Sequence, residues 1–340
     1  MLIGIPTELL EGENRVAATP ETVKKFVAKG LHQVLVQTGA GEKSSFPDSA
    51  YEEAGASLVD NAAKIYESAE LILKVQGPSD GESTLLKKNQ VIIGLLQPHS
   101  ETIINRLKAS GVIGFAMERL PRISRAQSMD VLSSQANLAG YKAVLMAANV
   151  YPKLMPMLMT AAGTVKAARV VIMGVGVAGL QAIATAKRLG AVVEATDVRP
   201  ETKEQVESLG AKFIEVPLTE AEEELAKGEG GYAKEMSDDY KKRQGELIAS
   251  KLSQADIVIT TALIPGKPAP VLVTEEMVRT MKPGSVIVDM AAEQGGNCPL
   301  TKPNETSIVN GVTIIGTVNI PSSVASDASS LYSKNLLNFL

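Results

Sequence analysis

The sequence predicts an α/β protein in which two doubly wound parallel-sheet domains are joined by a long helix. Short β-rich runs alternate with helical patterns along the first third of the chain, and a second series of the same kind begins near Arg169. Such alternation is typical of parallel sheets covered by helices. The length of 340 residues is also more than one ordinary core needs. We therefore expect two domains, over residues 1–135 and 136–320.

The first domain is predicted from five β-rich runs and one well-specified helix start. The predicted strands are Leu2–Ile5, Gln33–Gln37, Leu71–Val75, Val91–Leu95 and Val112–Met117. Thr19 can cap a helix, Pro20 has the fixed φ of a first helical residue, and Gly30 suits a left-handed helix end. The tail, residues 321–340, carries leucines at helical spacing, namely Leu331, Leu336, Leu337 and Leu340. We expect this tail to pack back on the first domain.

The second domain is predicted from a further series of strands after a connecting helix. Residues Ser128–Val150 are rich in helix formers and contain no proline, so they predict the long helix that joins the domains. The predicted strands beyond it are Val170–Met173, Val192–Thr196, Ile257–Thr261, Val286–Met290 and Thr313–Gly316. A second doubly wound sheet follows from this pattern.

The composition favours a protein that acts on small molecules. A formal net charge of -4 provides no basic face for nucleic acid. The single cysteine, Cys298, cannot form an internal disulfide, which fits a reducing, cytoplasmic-type compartment. The chain starts without a signal-peptide pattern, and its most apolar stretch, Ala143–Val165, is interrupted by prolines and a lysine. We expect no direct membrane insertion and no metal site.

A glycine fingerprint for dinucleotide binding follows the first strand of the second domain. It reads Gly174-Val175-Gly176-Val177-Ala178-Gly179 and continues into a helical pattern. In such a Rossmann-like unit Gly174 permits the tight turn, Gly176 lets the backbone approach a pyrophosphate, and Gly179 lets the helix lie close to the strand. The amides and dipole of the helix that starts near Val177 then bind the phosphates.

Asp197 indicates which dinucleotide is bound. It lies eighteen residues after Gly179, at the end of the next predicted strand, where a carboxylate accepts hydrogen bonds from an adenosine ribose and repels a 2′-phosphate. The neighbouring Val198 and Arg199 complete this candidate cofactor-binding segment, although the Arg199 guanidinium is a group that could bind such a phosphate. The pattern favours NAD(H) over NADP(H).

Histidine, the side chain that most often transfers protons in catalysis, occurs only twice in this sequence. An alcohol or amine dehydrogenase must move a proton along with the hydride, usually through a positioned His, Lys or carboxylate. Of the two histidines, His32 is better explained as a surface cap after a helix-ending glycine, whereas for His99, in a loop, a functional and a solvated role are equally compatible with the sequence. Hydride exchange between two nicotinamides needs no such group. Since one fingerprint is present, a second nucleotide would be held by another polypeptide.

Four further stretches are more specific than the glycine fingerprint. They are Arg15–Pro20 (RVAATP), Pro121–Asp130 (PRISRAQSMD), Thr260–Pro270 (TTALIPGKPAP) and Gly295–Cys298 (GGNC). Through them nearly the whole chain resembles the NAD(H)-binding domain of proton-translocating transhydrogenase, a family that shares its fold with alanine dehydrogenase. Alanine dehydrogenase is expected to use a lysine in a Lys-Glu-Pro context and a histidine after the following strand. The matching positions here read Gln76-Gly77-Pro78 and Gln97, with Lys74 and His99 two residues away, so the resemblance implies that the amino-acid chemistry is lost.

The resemblance also implies a set of site residues. The polar set beside the nicotinamide and its ribose would be Arg122, Gln127, Asp130 and Ser133. The paired donor and acceptor of the Gln127 amide would hold the ring against the partner's NADP+. From the residues alone, a capped helix start is the simpler explanation of this run.

Further contacts with the nucleotide are implied at the second domain. The family has a loop that closes over the nucleotide, which here would contain Gly231, Tyr232 and Met236, with a plain surface loop as the alternative. Gln244 and Leu263 match family contacts near the nucleotide, but by themselves they are an ordinary helix residue and an apolar residue at a strand end.

The resemblance implies an NAD(H)-binding subunit or domain that is active only with its partners. It would be a soluble homodimer on the cytoplasmic or matrix side of a membrane, docked to the NADP(H)-binding domain or beta subunit and to the membrane domain. The Met-rich stretch Met155–Met159 fits a dimer interface or core packing equally well. Two alternatives remain open: a self-sufficient amino-acid dehydrogenase of the alanine type, and a non-catalytic NAD(H) sensor.

Overall fold

The computed structural model describes residues 1–199, 201–217, 238–264 and 266–340. The chain forms two compact units: unit 1 comprises Met1–Leu138 and Pro321–Leu340, and unit 2 comprises Ala139–Ile320. Each contains a mainly parallel sheet with helices, so the predicted fold class is confirmed. The chain passes from unit 1 to unit 2 within one long helix, a few residues beyond the predicted boundary at residue 135.

Within the described residues, unit 1 contains a six-stranded parallel sheet. Its strands are β1 (Leu2–Ile5), β2 (Gln33–Gln37), β3 (Ser57–Val59), β4 (Leu71–Gln76), β5 (Val91–Leu95) and β6 (Ile113–Ala116). The order across the sheet is β3-β2-β1-β4-β5-β6. The sequence prediction missed β3, because three partly exposed residues at a sheet edge carry no continuous apolar pattern.

Five α-helices connect the strands of unit 1. They are α1 (Pro20–Val27), α2 (Asp48–Glu53), α3 (Ala62–Ser68), α4 (Asp80–Ser83) and α5 (Glu101–Ser110). The predicted start of α1 is confirmed: Pro20 is the first helical residue, and the Thr19 N–H donates to Thr22 Oγ1 at 3.0 Å. The α-helix ends earlier than predicted, at Val27, and one 3-10 turn follows before Gly30 adopts the left-handed φ of +67°.

The long connecting helix, α6 (Val131–Val150), begins three residues later than predicted. Residues Ser124–Met129 instead form a 3-10 helix, whose Ser128 carbonyl accepts a hydrogen bond from Asn335 Nδ2 at 2.8 Å. The start predicted for α6 therefore lies in a separate 3-10 segment in contact with the carboxyl-terminal tail. Gly140 lies within α6, and a Cβ there would collide with the Ala178 carbonyl oxygen.

After the second half of α6, unit 2 contains a hairpin and a seven-stranded sheet, counted within the described residues. The strands are β7 (Leu158–Thr160), β8 (Gly163–Val165), β9 (Arg169–Met173), β10 (Val192–Thr196), β11 (Lys212–Phe213), β12 (Ile257–Thr260), β13 (Val286–Asp289), β14 (Thr306–Val309) and β15 (Val312–Ile315). The sheet order is β11-β10-β9-β12-β13-β15-β14, and β14 alone runs antiparallel to its neighbour. The four strands that the sequence did not predict, β7, β8, β11 and β14, are short or largely exposed.

The remaining helices are α7 (Val177–Arg188), α8 (Thr202–Ser208), α9 (Asp238–Leu252), α10 (Glu275–Thr280) and α11 (Ala325–Phe339). The last of these belongs to unit 1. Tyr332 and Leu336 of α11 are fully buried in the core of unit 1, whereas Leu331 and Leu340 are exposed. Leu337 packs against the same core, and the Tyr332 hydroxyl donates to the Lys74 carbonyl at 2.9 Å, so the tail packs on unit 1 through two of the four predicted leucines and this tyrosine.

The hairpin β7–β8 lies within the stretch Ala143–Val165, which is the most apolar of the sequence. Every residue of both strands is exposed, and Met157 and Met159 are 61% and 72% exposed. Met155, by contrast, is buried in the core of unit 2. Among the helices of the described residues, none is both long and apolar enough to span a bilayer.

Candidate nucleotide site

The glycine turn between β9 and α7 has the backbone geometry that a bound dinucleotide needs. Gly174 has a φ of +101°, and its N–H donates to the Thr196 carbonyl at 2.9 Å. A Cβ on Gly179 would collide with the Gly174 carbonyl oxygen, so α7 can begin this close to β9 only without a side chain there. A Cβ on Gly176 would meet no described atom within 4 Å. The turn therefore presents accessible backbone next to the first amides of α7.

Asp197, at the end of β10, lies directly beside this turn. Its side chain is 7% exposed, and its Oδ2 accepts a hydrogen bond from the Val175 N–H at 2.7 Å. Arg199 Nε lies 2.9 Å from Asp197 Oδ1. Burial alone would raise the pKa of Asp197, but the hydrogen bonds from Arg199 and Val175 outweigh burial and lower it. The carboxylate is therefore ionised at neutral pH, and its negative charge faces the Arg199 guanidinium.

Two side chains not predicted from the sequence support the turn and the segment after β12. Thr261 Oγ1 donates to the Gly174 carbonyl at 3.0 Å. Asn297 spans the next segment, because its Oδ1 accepts from the Ala262 N–H at 3.1 Å and its Nδ2 donates to the carbonyl oxygens of Ala262 and Pro270 at 2.9 and 2.8 Å. Both residues lie in the stretches TTALIPGKPAP and GGNC. The sequence signal was their place in these stretches, which follow or overlap the ends of predicted strands, where ligand-binding loops of parallel sheets lie.

A buried carboxylate at the end of β13 shapes the GGNC stretch. Asp289 is fully buried and accepts four hydrogen bonds, from Thr260 Oγ1 at 3.1 Å, the Ala291 N–H at 3.0 Å, the Cys298 N–H at 3.0 Å and Thr301 Oγ1 at 2.7 Å. A Cβ on Gly296, whose φ is +82°, would come within 2.7 Å of Asp289 Oδ2. This glycine is therefore required so that the loop can wrap around Asp289.

The polar set predicted around Gln127 lines one cavity of unit 1. The cavity has a volume of about 350 Å³, and its lining residues are Pro121, Arg122, Ile123, Ala126, Gln127, Asp130 and Ser133. Asp130 accepts hydrogen bonds from the Ser133 N–H at 3.0 Å and from Ser133 Oγ at 2.6 Å, which caps the start of α6. Arg122 and Gln127 are exposed. The capped helix start and the polar cavity therefore coexist, and Asp130 and Ser133 belong to both.

The other predicted site residues of unit 2 are more dispersed. Val198 is exposed next to Asp197, and Leu263 is exposed just beyond β12. Gln244 is half-buried on α9, a different element from the glycine turn. Gly231, Tyr232 and Met236 lie outside the described residues.

Lys74, the lysine two residues before the position that matches alanine dehydrogenase, belongs to a buried cluster of unit 1. Its side chain is 1% exposed, and its Nζ lies 2.7 Å from Glu82 Oε1 and 3.3 Å from Glu8 Oε2. The Tyr66 hydroxyl donates to Glu82 at 2.9 Å. Lys74 is thus used to neutralise two buried carboxylates. His99 is exposed in the loop after β5.

Gln76 itself belongs to a second buried network, which includes the RVAATP stretch. Gln76 Nε2 donates to Glu13 Oε2 at 2.9 Å, and Arg15 donates to both Glu13 oxygens at 2.8 and 2.7 Å. Burial alone would raise the pKa of Glu13, but the Arg15 hydrogen bonds and charge lower it to about 2. The amide of Gln76 therefore acts as an uncharged donor to the buried Glu13 carboxylate.

Comparison with known proteins finds relatives that match both units of the chain. The family models for the N-terminal and C-terminal domains of alanine dehydrogenase/PNT match residues 4–139 and 143–340. A curated relative from Rhodospirillum rubrum, named as the first part of an NAD(P) transhydrogenase subunit alpha, is 54% identical over 348 residues, covering 100% of this chain and 89% of the relative.

Solved structures also match over the whole chain. A transhydrogenase from Sinorhizobium meliloti superposes with a TM-score of 0.88 at 48% identity, covering 100% of this chain and 93% of that one. An L-alanine dehydrogenase superposes with a TM-score of 0.84 at 28% identity, covering 100% and 88%. Because both domain models match in order and a relative more than half identical spans the full length, this chain belongs to the alanine dehydrogenase/PNT family.

Proposed function

We propose that this chain is the NAD(H)-binding component of a proton-translocating transhydrogenase, in which hydride passes directly between NADH on this chain and NADP+ on a partner domain. The observation that carries the proposal is the glycine turn of unit 2 with Asp197 beside it. Open backbone at Gly176, the amides at the start of α7 and an ionised carboxylate at the next strand end are the groups that hold a dinucleotide.

Asp197 favours NAD(H) over NADP(H) in this proposal. Its carboxylate would accept hydrogen bonds from the adenosine ribose and repel a 2′-phosphate at the same place. The exposed apolar side chains of Val198 and Leu263 would lie against the adenosine, and Tyr232 and Met236 are proposed to contact the nucleotide from their loop.

The polar cavity of unit 1 is proposed to act on the nicotinamide. Gln127 is exposed and has an amide that donates and accepts, so it can pair with a carboxamide. Arg122 would add a positive charge, while Asp130 and Ser133, which already bond each other, would hold the start of α6 in place and face the nicotinamide ribose. Positioning of the ring is the main demand on these residues, because ring-to-ring hydride transfer moves no proton to or from a heteroatom.

The state of Lys74 supports a transhydrogenase rather than an amino-acid dehydrogenase. A lysine that binds and protonates substrate needs an accessible ammonium group, whereas Lys74 is 1% exposed and paired with Glu82 and Glu8. Gln76, at the matching position, carries no proton to transfer.

Partners follow from the same proposal. The NADP(H) site would lie on the beta subunit or an equivalent domain, attached to a membrane domain on its cytoplasmic or matrix side. We also propose a homodimer in which a second copy of this chain covers the exposed hairpin β7–β8. Exposed methionines and Leu158 on a two-stranded hairpin are typical of surfaces that are buried on assembly.

The deciding experiment mixes this chain with an NADP+-loaded transhydrogenase domain and follows hydride transfer from an NADH analogue. Rapid transfer that requires both proteins is expected. A non-catalytic NAD(H) sensor would bind nucleotide and give no transfer, which would overturn the proposal. In a parallel assay with NAD+ and alanine but no partner, substantial NADH formation would instead establish the amino-acid dehydrogenase.

A further inference from the structure

The Asp197 carboxylate is fully engaged by donors from its own chain. Oδ2 accepts from the Val175 N–H at 2.7 Å and from Arg199 Nη2 at 3.0 Å. Oδ1 accepts from the Arg199 N–H and from Arg199 Nε, both at 2.9 Å. The Arg199 guanidinium also donates to the Val175 carbonyl at 3.2 Å, so it lies across the glycine turn.

A carboxylate has about four acceptor positions. Four donors therefore saturate Asp197, and a ribose hydroxyl can bond it only where one of them withdraws. Two of the donors are backbone amides that the turn and the end of β10 hold in place. The other two belong to the Arg199 side chain, which is 49% exposed and free to rotate into solvent.

We propose that the Arg199 side chain competes with the adenosine ribose for Asp197 and thereby sets both the affinity for NAD(H) and the discrimination against NADP(H). This inference rests on the proposed NAD(H) site. Binding of NAD(H) displaces the guanidinium from Asp197, so part of the binding free energy is used to break this ion pair. With NADP(H), the displaced guanidinium is itself a partner for the 2′-phosphate.

If Arg199 competes with the ribose, its substitution should have the opposite effect on NADH affinity from the substitution of a residue that contacts the ligand. Removing a side chain that contacts a ligand weakens binding, but removing a competitor strengthens it. Loss of Arg199 also leaves the largely buried Asp197 carboxylate with spare acceptor capacity, which a ribose hydroxyl can fill. Among the described residues that contact Asp197, Arg199 is the cation that could pair with a 2′-phosphate. Its loss should therefore weaken the binding of NADP(H).

The test compares Arg199→Gln with Lys203→Gln. Lys203 lies on the nearby α8 and is paired with Glu215 at 2.5 Å, so its substitution changes the net charge equally without touching Asp197. NADH and NADPH dissociation constants are measured by fluorescence titration, with urea unfolding as a check on folding. Arg199→Gln should tighten NADH roughly three- to fivefold, as expected for a partly exposed ion pair, and weaken NADPH. Lys203→Gln should leave both within roughly twofold.

The Asp197→Asn background makes the test specific. A neutral amide no longer holds the guanidinium, so Arg199→Gln should give no tightening of NADH there. Weaker or unchanged NADH binding by Arg199→Gln in the native background, or the same tightening in the Asp197→Asn background, would overturn the competition. If the folded wild-type chain does not bind NADH at all, both the proposed function and this inference are wrong. If the wild type binds NADH, the result for Arg199→Gln tests the competition alone.

Discussion

The two sheets share a strand order around their first strand but end in different surroundings. β1 of unit 1 lies between β2 and β4, and β9 of unit 2 lies between β10 and β12. Such a reversal of strand order creates a crevice at the carboxyl ends of the strands. After β9 the chain enters α7 within the three residues of the glycine turn, whereas after β1 it runs through residues 6–19 before α1 starts.

The crevice of unit 1 is occupied by side chains of its own chain. Glu8, from the segment after β1, accepts hydrogen bonds from the N–H groups of Val75 at 2.6 Å and Gln76 at 3.3 Å, and Lys74 pairs with Glu8 and Glu82. In unit 2, glycines leave the corresponding backbone accessible. The comparison teaches that the topology supplies two crevices, and that local residues decide which one is available to a ligand.

In the buried cluster of Lys74, Glu8 and Glu82, the pKa values of the two carboxyls are shifted in opposite directions. Burial raises the pKa of Glu8, and the attraction of Lys74 does not cancel that effect. For Glu82, the opposing effect of burial is outweighed by the closer Lys74 and the hydrogen bonds from Ser79 and Tyr66, so its pKa is lowered. Lys74 is therefore the cation that lowers the pKa of both carboxyls against the effect of burial.

Removal of Lys74 should therefore have the largest effect. Lys74→Met leaves two buried carboxylates without their cation, and we expect a loss of about 3–5 kcal/mol in the free energy of unfolding, measured with urea. Lys25→Met is the matched control, because Lys25 forms an exposed pair with Glu21 and its loss should change the free energy of unfolding far less. If Lys74→Met lowered the free energy of unfolding as little as the control does, the buried charges would not be what stabilises the crevice of unit 1, and its contrast with unit 2 would be lost.

The glycine turn offers a pair of matched substitutions. Gly179→Ala should destabilise unit 2 by roughly 3 kcal/mol, because its Cβ collides with the Gly174 carbonyl oxygen. Gly176→Ala should fold normally, since its Cβ meets no described atom within 4 Å, but should weaken NADH roughly tenfold or more by filling the space for a pyrophosphate. Unfolding and NADH titrations measure both. Unchanged NADH affinity in Gly176→Ala would show that the turn is not the phosphate site.

Acid should act on unit 1 through Glu13. Its pKa is lowered from 4.5 to about 2 in the folded chain, so the stabilisation is complete above the unfolded value and is lost as the pH falls toward 2. The shift corresponds to about 3 kcal/mol at neutral pH. In Glu13→Gln this contribution is missing, so the difference in unfolding free energy between wild type and variant should shrink from pH 6 to pH 3. A difference that stays constant over this range would contradict the assignment.

The smallest effect is expected at the exposed polar cavity of unit 1. Gln127→Asn shortens the side chain by one methylene and should slow hydride transfer to the NADP+-loaded partner roughly tenfold, through misplacement of the ring. NADH affinity should stay within roughly twofold. Equal losses in affinity and rate would mean that Gln127 serves binding alone.

The glycine turn and the long apolar strands could be predicted from the sequence, whereas the short edge strands could not, and the difference has a physical reason. The glycine turn could be read residue by residue, because Gly174 and Gly179 respond to local backbone geometry and close packing with sequence neighbours. The strands with continuous apolar runs, such as β9 and β12, were also read to within one residue. Short edge strands such as β3 carry too little periodic pattern to be distinguished from loops.

By itself, the sequence determined the two-sheet α/β class, the position of the glycine turn and the acidic residue after the next strand, since all three depend on contacts within a few tens of residues. Only the tertiary structure decided that Lys74 is buried between Glu8 and Glu82, that Arg199 folds back on Asp197 and that Asn297 braces the segment from Ala262 to Pro270. Whether a charged side chain faces solvent, a ligand or another charge depends on the partners that folding brings to it. Several of those partners are distant along the chain, so a local sequence pattern does not predict which side chains will be in contact.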